Sequence, residues 1–526
     1  MKGISISILL FVSLSSFGQN QNISNGNVFD GEPYLSINPN NSQHLVVAWM
    51  GWINFSNQFK IKTKTSFDGG QTWSSATELP HTVIGYSSAD PSIDFNQNGD
   101  VFVCYIDFDG IDPPVNGGVY ICKSSDGGLT WNTPTEVINA NYDGTKWPID
   151  RPWITIDKSN GVYDGYIYIS TMNGNRTDSP FNPYLSISND SGITFSTTYL
   201  DDTNWLAGSI NPLPMCLPTV SSTGVFYGAY PSYVLTQSLY PQYLLVSSNN
   251  GGSTFSYNNI LTSTDPIPMS NFPSAKKGHL LIDNPAIANH LSFIYLRTIN
   301  GNLDVFLTET TNAGVTWSSP VRINDDPISN NRMQDLVWAD FDSDGDLIIS
   351  WRDRRNGSDS TYQTPSEIWA AYRNKDSLQF APNFQITNQI VTYDSVLENA
   401  GNDFMCIKMQ NDTLNAVWGD TRNGKLNIWF QSMTVDGTIL SVQQISSEEI
   451  PDIFIYPNPT TSKIYIENEN LKQVTVYDMN GRKIITKRNE NGIKKMELSL
   501  ENYSNGSYLL EVRTSKGIIT RKIQKQ

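Results

Sequence analysis

Five acidic residues recur at the same kind of place in this chain: Glu32, Asp90, Asp150, Asp335 and Asp403 each stand at the opening of a short apolar segment. The openings read Glu32-Pro33-Tyr34-Leu35, Asp90-Pro91-Ser92-Ile93, Asp150-Arg151-Pro152-Trp153, Gln334-Asp335-Leu336-Val337 and Asn402-Asp403-Phe404, with Leu217-Pro218 and Asn284-Pro285 holding the place in two more segments. Two arginine-bearing stretches accompany them, Trp351-Arg352-Asp353-Arg354-Arg355-Asn356-Gly357 and Trp418-Gly419-Asp420-Thr421-Arg422-Asn423-Gly424. Gathered on one face, these residues have the chemistry of a glycan site. Carboxylates such as Asp90, Asp150 and Asp335 supply general acid and base, and guanidinium forks such as Arg151 and Arg352 clamp a ligand through two parallel hydrogen bonds. Glu32, Asp403 and Arg422 add polar contacts, and Trp147, Trp153 and Trp338 offer faces on which sugar rings stack. The opposing reading is structural: a catalytic group is needed once, whereas these acids recur in most segments, as residues that accept backbone N–H groups at a strand start would.

A second acidic pattern, Asp94-Phe95-Asn96-Gln97-Asn98-Gly99-Asp100, is echoed by Asp340-Phe341-Asp342-Ser343-Asp344-Gly345-Asp346. Oxygen ligands at alternate positions with a Gly at the bend imitate the first half of a calcium loop, and Asp342, Asp344 and Asp346 are the candidate calcium ligands. The second half is missing, because Trp351 stands where the closing Glu belongs. A metal-free hairpin is the competing reading, and the sequence calls for no other cofactor.

The elements that must position these groups are marked by a third pattern, present five times. It reads Ser66-Phe67-Asp68-Gly69-Gly70-Gln71-Thr72-Trp73, Ser124-Ser125-Asp126-Gly127-Gly128-Leu129-Thr130-Trp131, Ser188-Asn189-Asp190-Ser191-Gly192-Ile193-Thr194-Phe195, Ser248-Asn249-Asn250-Gly251-Gly252-Ser253-Thr254-Phe255 and Thr310-Thr311-Asn312-Ala313-Gly314-Val315-Thr316-Trp317. In each copy the Asp or Asn (Asp68, Asp126, Asp190, Asn250, Asn312) accepts backbone N–H groups, the Gly supplies positive φ, and the aromatic tucks beneath the hairpin. The threonines at 72, 130, 194, 254 and 316 are 58, 64, 60 and 62 residues apart. One more period lands on the decayed copy Lys375-Asp376-Ser377-Leu378-Gln379-Phe380, and another on Val435-Asp436-Gly437. That makes seven units, each with an opening strand, a second strand such as Leu347-Ile348-Ile349-Ser350-Trp351, a third running into the box and a fourth leaving it. Four strands per unit is the blade of a β-propeller.

The five repeats resemble the Asp-boxes of sialidase-like β-propellers, and the resemblance covers most of residues 20–446. It implies an all-β propeller whose boxes lie on the face opposite the strand openings and serve as scaffold; the unit count makes it seven-bladed, whereas the sialidases have six blades, the alternative form. It also implies a sialidase or other glycoside hydrolase or lyase as one activity. The residues depart from that family where its chemistry lies. The active enzymes carry an Arg-Ile-Pro-like opening in the first blade, three arginines on the substrate carboxylate, an Asp acid/base and a Tyr activated by Glu. Here the first blade opens Gly31-Glu32-Pro33, and the nearest surrogate is Asp150-Arg151-Pro152, two blades later.

The ends of the chain point outward. Met1-Lys2, the apolar run Ile4 to Val12 and Ser16-Phe17-Gly18 read as a signal peptide over 1–18, too short to span a bilayer. No later segment has the roughly 18 apolar residues of a transmembrane helix. From 447 to 526 the blade pattern is gone. Tyr456-Pro457-Asn458-Pro459-Thr460, Val474-Thr475-Val476-Tyr477-Asp478-Met479-Asn480-Gly481-Arg482 and Asn505-Gly506-Ser507-Tyr508 resemble the C-terminal sorting domain of type IX secretion cargo. That resemblance implies a small Ig-like β-sandwich recognised by the type IX machinery, and a cargo domain, residues 19–446, placed on the cell surface or released.

Charge follows the same boundary. Residues 447–526 hold 13 Lys+Arg against 10 Asp+Glu, a net of +3, so the rest carries −19 of the chain's total −16. An acidic propeller is a poor partner for nucleic acid or an anionic membrane, and no nucleic-acid partner is expected. Export permits disulfides. Cys104 and Cys122 lie on neighbouring strands of one blade and either bridge or pack, whereas Cys216 and Cys406 belong to distant units and read as buried thiols. The expected partners are therefore the secretion machinery and a glycan or another extracellular polymer, bound or turned over at the channel face.

Overall fold

The computed structural model describes residues 20–437 except 54–57, 111–114, 175–178, 212–213, 264–277, 300–301, 329, 359–363, 392–401, 403 and 436, and residues 453–526 except 479–481, 490–491 and 515–516. The chain divides into two compact units, Met1–Val442 and Gln443–Gln526. The signal-peptide reading over 1–18 and the site residue Asp403 lie outside the described residues.

The first unit is an all-β propeller. Its described strands form seven antiparallel four-stranded sheets. Asp30–Asn38, Ser87–Phe95, Asp150–Ile156, Leu217–Val220, His279–Asp283, Gln334–Phe341 and Cys406–Gln410 are the first strands, and each pairs with the strand that follows it. Six sheets take their four strands from consecutive sequence. The last takes its outer strand from the chain's beginning, Gln21–Asn22, which pairs with Asn427–Thr434. Joining first sequence to last closes the ring without an exposed edge at the seam.

The boxes make the turn between third and fourth strands. In each, the Ser or Thr hydroxyl bonds the Asp or Asn and accepts the N–H of the second Gly, as Ser66 does from Gly70 at 2.8 Å. The Asp or Asn then accepts the N–H of the box Thr, at 2.8 Å in the first copy and 2.9 Å in the other four. The second Gly is where a box meets the preceding blade. Gly70 has φ +85°, and a Cβ there would lie 2.3 Å from the Phe430 ring of the last sheet; Gly252 has φ +86° and would meet Ile187 at 2.1 Å. The repeat therefore fixes blade-to-blade contact as well as the turn itself.

All four cysteines are free and buried. Cys104 pairs in register with Ile121 and Cys122 with Val103, so the two thiols point to opposite faces of their sheet and the bridging alternative fails.

The second unit packs a three-stranded sheet, Phe454–Tyr456, Lys463–Glu467 and Lys495–Ser499, with a four-stranded one built from Lys483–Arg488, Leu471–Tyr477, Gly506–Thr514 and Gly517–Lys525. Alternating residues of both sheets, among them Ile464, Val474, Leu498, Leu510 and Ile523, form its core. The Tyr-Pro-Asn-Pro segment is tied to the last strand. Asn458 donates to the Lys522 carbonyl and accepts from the Gln524 N–H, and the Thr460 N–H bonds the Gln524 carbonyl.

Candidate functional site

The openings of the first strands share a device that the sequence pattern concealed. In four of them a β-bulge inserts an extra residue, between Gly31 and Tyr34, Ala89 and Ser92, Asp150 and Trp153, and Asp335 and Trp338. The residue just inside each bulge, Glu32, Asp90, Arg151 and Leu336, is left-handed, with φ between +50° and +57°. Asn402, before the seventh first strand, has φ +76°. Non-glycine residues held this way in one blade after another are backbone strain sustained by the surrounding ring. The partners show how. The Arg151 N–H donates to the Asp90 carboxylate at 3.3 Å, and the Glu32 N–H to the Asn402 side chain at 3.4 Å, so one blade's opening residue receives the N–H of the next.

This register corrects the expected single ring of acids. Glu32 and Asp90 occupy the bulge, Asp150 and Asp335 sit one residue earlier, and Arg151 is the true counterpart of Glu32 and Asp90. A one-residue offset in a strand turns the side chain to the other face. Glu32 is buried, Asp150 is half-buried, and Asp90 is half-buried with one carboxylate oxygen engaged by Arg151.

Asp335 is fully buried between two arginines. Arg352 grips it bidentately at 2.7 and 2.6 Å, and Arg354 adds contacts at 3.1 and 3.3 Å. Burial pushes the carboxyl up, but the two guanidinium groups override it and hold Asp335 well below the usual carboxylate range. Neither Asp335 as acid/base nor Arg352 as ligand clamp fits this arrangement: each is spent on the other.

Arg422 is also removed from the site. The Trp418 indole and the Arg422 N–H and Nε all bond Asp420, and the guanidinium lies 4.5 Å from the Trp429 ring while reaching Asn20 and Asn388. Trp351, Asp353, Arg355, Trp369 and Asn383 repeat the arrangement in the preceding sheet. The Trp-x-Asp-x-Arg-Asn-Gly pattern is therefore a staple that carries an arginine from the second strand across the third to the outer edge.

The expected sugar-stacking tryptophans are core residues. Trp147 is buried in a hydrophobic cluster. Trp153, Trp338, Tyr34 and Phe404 pack on one another across the channel, with ring centroids 5.0 to 6.0 Å apart. Tyr34, Trp153 and Trp338 share one register position, just after the bulge, and so meet at one level and plug the channel.

Beyond the plug, toward the hairpins that join first and second strands, lies a cavity of about 420 Å³ lined by residues of all seven first strands. Two ion pairs cross its wall between adjacent blades. Asp94 receives Lys158 at 2.7 Å and the Ile156 N–H, and Asp340 receives Lys408 at 3.0 Å and the Met409 N–H. Asp283, in the same lining, receives the Ser222 N–H at 3.1 Å, and among the described residues its buried Oδ1 has no hydrogen-bond partner. Burial pushes Asp283 up to about 7. Sequence reasoning passed over Asp283, Lys158 and Lys408; their signal was position near the far ends of first strands, where alternate residues face the channel.

The candidate calcium ligands are engaged by protein donors. Asp342 accepts the Asp412 and Ser343 N–H groups, Asp346 accepts the Lys375 N–H and the Tyr372 hydroxyl, and Asp344 pairs with Lys375. Among the described residues no three His, Cys, Asp or Glu side chains gather as a metal site requires. The hairpin reading accounts for these contacts.

Comparison with known proteins identifies residues 454–526 as a secretion system C-terminal sorting domain. The chain is thus cargo of type IX secretion, exported to the cell surface or beyond, and no helix among the described residues is long and apolar enough to cross a membrane. No curated protein matches the chain. Among solved structures it is similar to a protein of unknown function from Dyadobacter fermentans, with 15% identity and a TM-score of 0.42 over 68% of this chain and 99% of that one. It is also similar to the NanB sialidase of Streptococcus pneumoniae, with 13% identity and a TM-score of 0.41 over 80% and 70%. An α-L-arabinanase of Penicillium chrysogenum matches with 10% identity and a TM-score of 0.42 over 80% and 99%.

Proposed function

We propose that the exported propeller recognises a glycan or another extracellular polymer at the face where its first strands open, and holds it without turnover. The observation that carries this reading is the contrast between Asp90 and Asp335. Asp90 is half-buried, spends one oxygen on the Arg151 N–H and keeps the other for a ligand, whereas Asp335 is sealed between Arg352 and Arg354. Glycoside hydrolysis by the usual route needs two carboxyl groups on either side of the scissile bond. Asp150, the other half-buried acid here, stands one residue before the bulge position that Asp90 holds and so points to the opposite face of its strand, and a carboxylate without a facing partner suits the acceptance of sugar hydroxyls. Asp90 and Arg151 are the residues assigned to this binding.

The test is a glycan-array screen of the secreted protein, run beside an assay for released sugars including sialic acid. Binding that is lost in Asp90→Ala, with no sugar released, supports the reading. Release that disappears in Asp90→Ala would replace it with a hydrolase or lyase, and a screen with neither binding nor release would refute it.

A further inference from the structure

The cavity on the hairpin side of the aromatic plug is separate from the strand-opening face, and its charges do not balance. Three carboxylates line it, Asp94, Asp283 and Asp340, against two ammonium groups, Lys158 and Lys408. The lysines are already committed, each to the acid of the preceding blade. Among the described residues no cation reaches Asp283, which has one hydrogen bond and one buried oxygen with none. A carboxylate kept out of water without a counter-charge is costly, and the cost is relieved when a donor cation arrives. The rest of the lining suits an organic cation better than a bare metal. The half-buried Tyr34 ring lines the same cavity with the buried Trp153 and Trp338 packed against it, and an aromatic face attracts ammonium groups through its quadrupole. Its volume of about 420 Å³ lies in the range of small-molecule sites.

We propose that this end of the channel is a binding site for a small organic ammonium compound, whose N–H groups are taken by Asp283 and whose body rests against the aromatic plug. The two lysine–aspartate pairs set its selectivity: they leave the wall neutral on either side, so one positive charge completes the cavity and an anion meets no free cation.

Calorimetric titration of the full-length secreted protein with 1-aminopentane and with 1,5-diaminopentane tests this, with 1-pentanol as the uncharged twin of the first. The expected result is saturable binding of at least one amine and none of 1-pentanol. Asp283→Asn, which preserves shape and the Ser222 hydrogen bond, weakens the amine at least tenfold, and Asp190→Asn, in a box turn outside the cavity lining, leaves it unchanged. Asp283→Ser serves as a second variant should the first not fold. Heat from neither amine, equal binding of 1-pentanol, or an affinity indifferent to both Asp283 substitutions would overturn the proposal. None of the three probes is a sugar, so failure here is distinct from failure at the strand-opening face.

Discussion

Replacing Asp335 by Asn removes the one negative charge that two guanidinium groups share. The side chains of Asp335 and Arg354 are fully buried, and that of Arg352 is 8% exposed. Four N···O contacts between 2.6 and 3.3 Å connect the three residues, and a neutral amide retains only the weaker part of them. Removing one partner of a buried ion pair costs about 3–5 kcal/mol. With two cations left on one amide, the expected loss lies in the upper half of that range, about 4–5 kcal/mol. Urea unfolding followed by tryptophan fluorescence measures it in the intact chain, because all 13 tryptophans lie between Trp49 and Trp429 and the sorting unit contributes no signal. Asp335→Leu combined with Arg352→Met and Arg354→Met recovers most of the loss, since an apolar replacement of the whole cluster leaves no charge stranded. The pH dependence follows from the depressed carboxyl. Its stabilisation is present above the unfolded value of about 3.9 and fades only as pH falls from there toward the folded value, so the gap between wild type and Asp335→Asn stays constant from pH 8 to 5. A loss under about 1 kcal/mol, or a gap that closes between pH 7 and 5, would refute the structural assignment and make Asp335 a reactive acid again.

Gly252→Ala is expected to cost about 2–3 kcal/mol by the same fluorescence assay, from the left-handed backbone and the contact with Ile187, and Ile187→Ala in the same chain should recover part of it. In the third box, the hydroxyl and N–H of Thr194 hold Asp190 down to about 2, so its contribution is present above pH 4 and is lost as pH falls toward 2. Asp190→Asn, which copies the natural Asn250 and Asn312, should therefore be near-neutral at pH 7 and flatten the acid limb by less than about 1 kcal/mol, as solvent screening of an exposed group dictates. Asp283 titrates in the opposite sense: its raised carboxyl favours the fold at low pH, and that advantage drains away from about pH 4 to 7. Asp283→Asn should consequently raise the unfolding midpoint at pH 8 more than at pH 5, and a larger gain at pH 5 would contradict the burial argument. Deleting Gln443–Gln526 should leave the propeller inside the outer membrane, detected by fractionation of the producing cells.

The sequence alone determined whatever is built within about ten residues. Each box carries its own turn: the Asp or Asn, the Gly with positive φ and the Thr that closes it stand at fixed offsets, so the repeat, its period and the all-β architecture were legible without coordinates. The sorting unit was legible for the same reason, as a run of short motifs in a fixed order. Tertiary structure alone decided what the charged residues do. A bulge of one residue put Arg151 where an acid had been expected and separated Asp150 and Asp335 from Asp90. Two arginine stretches that read as ligand clamps became a lock on Asp335 and a staple across the outer strands, and two tryptophans became a plug. Asp94 and Lys158 lie 64 residues apart, and Asp340 and Lys408 lie 68. Such partners are chosen by the closure of the ring and the pleat of each first strand, where a shift of one residue reverses a side chain, and no local pattern records that choice.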